Sequence, residues 1–285
     1  MRVSDIIKGK RDIVKVYPST TIRDTVSKMN NSGSRRVPVV DAGTDRILGI
    51  VTPMDILDFM GGGSKYNLVK YRHNHNLLSA INEPVKEIMT NNPVCVRDST
   101  PLEEVMEIFI EKNVGGTPVV DRDNILLSLI TERDVISYLI DRIEGKTVGD
   151  YMSEDPIVAT PGMRLKDVAR VMLRNRFRRL PVVSEDKLVG MITSTDFIRL
   201  LGSDWAFNRM TTGNIREITN VRVEEVMARD PVRASREDPL RSVAEVMINR
   251  GVGALPVVED RDRLVGIITE RDILTFLREV YSQVV

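Results

Sequence analysis

Val37-Pro38-Val39-Val40, followed by Gly49-Ile50-Val51-Thr52-Pro53-Met54-Asp55, is a phrase that this chain repeats three more times. Thr117-Pro118-Val119-Val120 leads to Ser128-Leu129-Ile130-Thr131-Glu132-Arg133-Asp134. Leu180-Pro181-Val182-Val183 leads to Gly190-Met191-Ile192-Thr193-Ser194-Thr195-Asp196, and Leu255-Pro256-Val257-Val258 to Gly266-Ile267-Ile268-Thr269-Glu270-Arg271-Asp272. Proline and aspartate keep nearly constant spacing (38 to 55, 118 to 134, 181 to 196, 256 to 272), so each copy is one set of elements around an adjustable turn. Internal repetition decides the fold and multiplies each candidate site by the number of copies.

Working outward, each copy reads as strand, helix, strand, strand, helix. In the second copy Pro93-Val94-Cys95-Val96 is a short apolar strand. Thr100-Pro101-Leu102-Glu103 then opens a helix, with Thr100 as cap, Pro101 in the first turn and an acid three residues after the cap. Leu102, Val105, Met106, Phe109 and Ile110 recur at helical spacing and mark its buried face. Asp121-Arg122-Asp123-Asn124 has turn composition, Ile125 to Ile130 is apolar, and Val135, Ile136, Leu139 and Ile140 mark a second helix. Two short strands and two amphipathic helices cannot enclose a core, so the copies must pack in pairs.

The copies alternate in kind. Ser34-Arg35-Arg36-Val37-Pro38 matches Phe177-Arg178-Arg179-Leu180-Pro181, whereas Asn113-Val114-Gly115-Gly116-Thr117-Pro118 matches Gly251-Val252-Gly253-Ala254-Leu255-Pro256. Thr-Glu-Arg-Asp occurs only in copies two and four, and polar insertions follow copies one and three, near Gly61 to Asn82 and Gly202 to Asn220. The chain is therefore a duplicated pair with its seam near Gly145. We divide it into repeat 1 (1–62), an insertion (63–82), repeat 2 (83–144), repeat 3 (145–202), an insertion (203–220) and repeat 4 (221–285), with modules 1–144 and 145–285.

Bulk properties narrow the function. The 285 residues are 42% hydrophobic and 29% charged, with 41 basic against 41 acidic side chains, which disfavours general electrostatic binding to nucleic acid. Lone Cys95, an N-terminus without an apolar signal core and no run long enough for a bilayer lead us to expect a cytoplasmic protein without a membrane partner. Cys95 reads as a small core residue, and His73 and His75, the only histidines, make a histidine metal site implausible. Lys65, Lys70, Tyr71 and Arg72 form a basic and aromatic group that reads first as a solvated loop or extra helix. Trp205 lies in the matching insertion, where it would cover a module face. No nucleophile–base pair or Gly-rich phosphate loop is present, so we expect no enzyme.

These features resemble the CBS domain over nearly all of the chain. The resemblance implies an α/β (α+β) fold of four tandem CBS repeats (β-α-β-β-α), paired into two pseudo-twofold modules with clefts between repeats. It extends to stand-alone archaeal and bacterial CBS proteins and to the gamma subunit of AMP-activated protein kinase. In such proteins the final aspartate of the phrase accepts hydrogen bonds from both ribose hydroxyls of an adenosine ligand. Here that implies Asp55, Asp134, Asp196 and Asp272, and a carboxylate has the two acceptors required. Thr52, Thr131, Thr193 and Thr269 stand where backbone N–H groups at a helix start could meet a phosphate or sugar oxygen. The same Thr-x-x-Asp is equally an ordinary helix cap.

Phosphate contacts are implied for Arg35, Arg36, Arg178 and Arg179, with Arg133 and Arg271 as further candidates, since a guanidinium fork matches phosphate oxygens. Gly115-Gly116 and Gly253-Ala254 read as room for a ligand at the corresponding positions. Val37, Thr117, Leu180 and Leu255 are the implied adenine positions, otherwise strand core, and Thr20 and Thr100 the implied hydroxyl contacts. Met163 and Asp238 replace those threonines in repeats 3 and 4, and Ser128 replaces a glycine in repeat 2, so four equal sites are not expected. The implied function is a regulatory, energy-sensing protein that binds AMP, ADP or ATP and needs no cofactor, magnesium accompanying ATP. The alternatives are S-adenosylmethionine or methylthioadenosine as ligand, or an interaction scaffold with vestigial clefts. A protein partner, and a monomer or homodimer, belong to the same expectation.

Overall fold

Every copy of the phrase builds the same antiparallel hairpin in the computed structural model, which describes residues 1–8 and 13–282. The hairpins are Val37–Val40 with Ile47–Val51, Gly116–Val120 with Leu126–Thr131, Arg179–Ser184 with Lys187–Thr193, and Ala254–Glu259 with Arg263–Thr269. All four shift register at the Val-Val step, which bends the strand at the same place each time. A short first strand runs parallel to the proline strand: Val16 bridges Val39, Val96 pairs with Val119, Ala159 bridges Val182 and Ala234 bridges Val257. A parallel pair needs a crossover, and the first helix of each repeat supplies it.

The helices depart from expectation at their ends. The Leu102–Glu111 helix is preceded by Pro101 at the cap position, and Thr100 lies one residue outside, its hydroxyl accepting the Arg97 N–H at 3.0 Å. The Glu132–Tyr138 helix stops where Leu139 leaves helical geometry, and a single 3₁₀ turn, Ile140–Arg142, follows. Cys95 is half-buried just ahead of the Val96–Arg97 strand.

Sheets join repeats within a module. Thr90–Asn91 pairs with Ile47–Val51, and Arg46 bridges Ile125, tying repeat 1 to repeat 2. Ala228–Arg229 pairs with Lys187–Thr193, and Ser153–Glu154 with Arg263–Thr269, tying repeat 3 to repeat 4. These crossings explain the glycine of the phrase. A Cβ at Gly49 would lie 3.0 Å from the Thr90 carbonyl, at Gly190 2.8 Å from that of Ala228, and at Gly266 2.9 Å from that of Ser153. Leu126–Thr131 has only its hairpin partner among the described residues, and the Val3–Ile7 helix packs against it instead, so Ser128 is tolerated.

Helices join repeats between modules. Ile22–Ser32 and Pro53–Leu57 of repeat 1 pack on Ser194–Leu201 of repeat 3, and Leu165–Asn175 packs on Asp58–Gly62. Leu102–Glu111 of repeat 2 packs on Glu270–Ser282 of repeat 4. One apolar core therefore unites repeats 1 and 3 around Phe59 and Phe197, and another unites repeats 2 and 4 around Phe109 and Phe276. The insertions belong to the first core and are not polar loops: Val69, Leu77, Ile81, Ala206, Ile215 and Ile218 are buried in it. They are linked by Leu77 N–H to the Gly213 carbonyl at 2.8 Å and Ile215 N–H to the His75 carbonyl at 3.0 Å. Trp205 is half-exposed, with the Arg209 guanidinium over its ring.

Each repeat thus has one sheet partner and one helix partner, closing a cycle of four within a single chain. Residues 1–144 expressed alone would expose both helical faces that repeats 3 and 4 cover. We expect that fragment to self-associate in light scattering; a stable folded monomer would contradict this division of the core.

Candidate functional site

Thr-x-x-Asp is a helix cap in all four copies. The aspartate Oδ2 accepts the threonine backbone N–H at 2.7 Å in Thr52–Asp55, 2.8 Å in Thr131–Asp134, 2.6 Å in Thr193–Asp196 and 2.7 Å in Thr269–Asp272. Each threonine hydroxyl donates to the same oxygen. This accounts for the spacing on structural grounds alone and leaves function to the second oxygen. Asp55 Oδ1 accepts the Thr90 hydroxyl at 2.8 Å and the Lys65 ammonium, and Asp196 Oδ1 accepts from Arg199. Both of these carboxylates are buried. Asp134 and Asp272 are half-buried, and Asp272 Oδ1 has no partner among the described residues. Burial pushes the Asp272 carboxyl above the usual range, against the pull of the Thr269 hydrogen bonds, Arg271 and Arg179.

The six candidate arginines converge, and each arginine pair divides its labour. Arg35 and Arg178 reach across the module boundary. Arg35 Nη2 donates to the Gly251 carbonyl of repeat 4 at 2.7 Å, and Arg178 Nη2 to the Asn113 carbonyl of repeat 2 at 3.2 Å. Arg36 and Arg179 stay with their own module, lying against Gly115-Gly116 and Gly253 respectively. The space at those glycines is therefore filled by guanidinium groups and is not open room. A Cβ on Gly115 would overlap Arg36 and Arg178 and lie 2.6 Å from Glu132 Oε2; one on Gly253 would lie 2.9 Å from Arg179.

Two glutamates that sequence reasoning passed over complete the cluster. Glu132 and Glu270 are the second residues of Thr-Glu-Arg-Asp, 3% and 7% exposed, among the few buried carboxylates. Arg271 of repeat 4 donates to Glu132 Oε1 from Nε at 2.9 Å and Nη2 at 2.6 Å, and Arg178 Nη1 lies 3.3 Å from Oε2. Arg133 of repeat 2 donates from Nε to Glu270 Oε1 at 2.7 Å. All these pairs cross between modules. The signal was the presence of Glu-Arg in only those copies whose strand lacks the arginine pair.

The balance of charge is positive. Burial, then the neighbouring Arg178, pushes the Arg36 guanidinium down to about 10; burial does the same to Arg179, only partly opposed by Glu270. For Glu132 burial would raise the carboxyl, but Arg178, Arg271 and Arg36 together hold it below its usual range. Arg133 Nη2 and Arg179 Nη1 are shut off from solvent and, among the described residues, have no hydrogen-bond partner.

The remaining candidates lie in structural roles. Val37, Thr117, Leu180 and Leu255 are wholly buried, and the Thr117 hydroxyl donates to the Val94 carbonyl. The Thr20 hydroxyl accepts the Tyr17 N–H at 3.0 Å, as Thr100 does that of Arg97. A separate cavity of about 530 Å³ lies between the insertions, bordered by Tyr66, Lys70, His75, Lys166, Arg170 and Arg216, and shares no residue with the cluster. Among the described residues no group of His, Cys, Asp or Glu could hold a metal ion, and no helix is long and apolar enough to cross a membrane.

Four repeats sharing sheets in pairs, each with a Thr-x-x-Asp cap at its second helix, define a CBS-domain protein. The CBS domain model matches residues 3–62, 85–141, 148–203 and 223–279, and the chain belongs to that family. It is 58% identical to protein MJ1225 of Methanocaldococcus jannaschii over 97% of this chain and 99% of that one. The crystal structure of MJ1225, described there as a proposed archaeal homologue of γ-AMPK, superposes with a TM-score of 0.94 at 57% identity, covering 97% and 100% of the two chains. A 33.4 kDa protein from the ribosomal RNA operon of Thermofilum pendens is 31% identical over 98% of this chain and 93% of its own length.

Gly115→Ala should destabilise the protein by about 1–3 kcal/mol in denaturant unfolding, because guanidinium groups must move to admit a methyl. Gly162→Ala, whose Cβ meets nothing within 4 Å, is the control expected to be neutral.

Proposed function

We propose that this chain is a non-catalytic regulatory protein that binds adenosine nucleotides with their phosphates in the arginine cluster. The observation that carries the reading is the excess charge: six guanidinium groups against Glu132, Glu270 and the adjoining Asp134 and Asp272, still a net of two positive charges, with two enclosed N–H groups unsatisfied among the described residues. A buried donor without a partner costs about 1–3 kcal/mol, and phosphate oxygens offset that cost where water is excluded. The guanidinium fork suits them, and each charged hydrogen bond contributes about 1.5–3 kcal/mol. Methylthioadenosine, with no acidic group, would leave these groups unsatisfied, and S-adenosylmethionine would offer one carboxylate offset by its sulfonium and ammonium charges.

Asp134 and Asp272 follow directly on Arg133 and Arg271, so sugar and phosphate contacts come from the same helix starts. Asp55 and Asp196 have both oxygens engaged within the protein. The sugar contact is therefore assigned away from Asp55 and Asp196 and to Asp272 first, whose Oδ1 has no partner among the described residues. Magnesium would enter only with a triphosphate. Similarity to MJ1225, described as a proposed homologue of γ-AMPK, supports the same reading. A protein partner would sense the ligand through contacts that bridge the modules.

The test is a thermal-shift and calorimetry panel of AMP, ADP, ATP and S-adenosylmethionine. A phosphorylated ligand at a hundredfold over its Kd should add about 2.7 kcal/mol of stability. Arg179→Ala should weaken nucleotide binding about tenfold or more through loss of a charged contact. Asp272→Ala should also weaken it, and Asp196→Asn should leave it unchanged. No shift with any adenosine compound would overturn the reading.

A further inference from the structure

The two halves of the arginine cluster are equivalent by repeat but not in satisfaction. Around Glu132 both oxygens are engaged, by Arg271 and Arg178. Arg271 is clamped further by Asn113 Oδ1 and, at 3.1 Å, by the Val114 carbonyl. Around Glu270 only Oε1 is engaged, by Arg133 Nε. Its Oε2 has no partner among the described residues, and both enclosed, unpartnered guanidinium nitrogens, Arg133 Nη2 and Arg179 Nη1, belong to this half.

The sequence explains the difference. The position of Asn113 is held in repeat 4 by Gly251, which has no side chain to clamp Arg133. Both residues adopt the left-handed conformation, with φ of 53° at Asn113 and 68° at Gly251, so the backbone is the same and only the amide is missing.

We propose that Glu270 is the resident counter-ion of a phosphate seat formed by Arg35, Arg133 and Arg179, displaced when a nucleotide phosphate binds, while Glu132 is a permanent strut. The proposal rests on the nucleotide reading above and assigns its phosphate to one half of the cluster. Arg35, Arg36, Arg133 and Arg179 surround Glu270 electrostatically; Arg178, Arg271 and Arg36 surround Glu132, with Arg179 a weaker neighbour. A phosphomonoester brings about −1.5 to −2 charges and three acceptor oxygens at neutral pH. A carboxylate brings one charge and two oxygens. The exchange therefore supplies acceptors for the two unpartnered nitrogens and more charge where burial already depresses Arg35 and Arg179. It replaces the Glu270–Arg133 bond, a tie between modules, by a phosphate that bridges Arg133 of one module and Arg179 of the other.

Calorimetric titration of the full chain with AMP tests this. Glu270→Gln should bind AMP about 10- to 100-fold more tightly, because phosphate no longer competes with a charged hydrogen bond, and should gain nothing for S-adenosylmethionine. Glu132→Gln should lower the melting temperature and gain clearly less AMP affinity than Glu270→Gln does, since no ligand displaces that carboxylate. Gly251→Asn, which Asn tolerates at positive φ, should install the missing clamp on Arg133 and weaken AMP binding. Equal effects of the two glutamine variants, or a loss of affinity in Glu270→Gln, would overturn the exchange while leaving nucleotide binding intact. Failure of every form to bind AMP would overturn both. Should Glu270→Gln not fold, the structure of the wild-type AMP complex decides: Glu270 must have left Arg133, and a carboxylate still bonded there beside a seated phosphate would refute the proposal.

Discussion

Guanidinium groups buried together repel one another, and this chain places six of them at the junction of its four repeats. The repulsion is bearable because each module supplies a carboxylate to the other: Glu132 meets Arg271 and Arg178, and Glu270 meets Arg133. Such pairs are costly to desolvate and costlier to break once buried. The position of one module against the other is thus tied to how well this charge is compensated.

The apolar cores serve the same end. Repeats share sheets inside a module but share cores across modules, so neither kind of contact alone defines a unit. Apart from the Val3–Ile7 helix, which packs on repeat 2, repeat 1 buries its helices with repeat 3 and repeat 2 with repeat 4, and the charged cluster occupies the crossing. The cluster therefore lies against two close-packed interfaces, which do not deform gradually. The clamp at Asn113, absent at Gly251, makes the two halves of the crossing unequal.

Much of this was legible in the chain. Four copies of Pro-Val-Val and Thr-x-x-Asp specified the hairpins, the caps and the A-B-A-B order, because turn chemistry and local periodicity act over a few residues. The arginine pairs and the Thr-Glu-Arg-Asp motifs were visible as belonging to alternate copies. Lys65 was visible only as part of a basic loop, yet it pairs with the buried Asp55 carboxylate. Glu132 and Glu270 were visible as helix-start acids, and nothing local distinguishes a solvated acid from a buried counter-ion.

By itself, then, the sequence determined the repeat, its elements and the arginines and acids that gather at the crossing. Tertiary structure decided which arginine of each pair crosses the module boundary, which aspartates have both oxygens engaged, and that guanidinium groups fill both glycine gaps. It also decided that cores form between modules. The physical reason is range: caps, turns and periodicity are settled by neighbours in the chain. Burial, charge compensation and hydrogen-bond satisfaction depend on groups brought together from more than a hundred residues away, as Arg271 and Glu132 are.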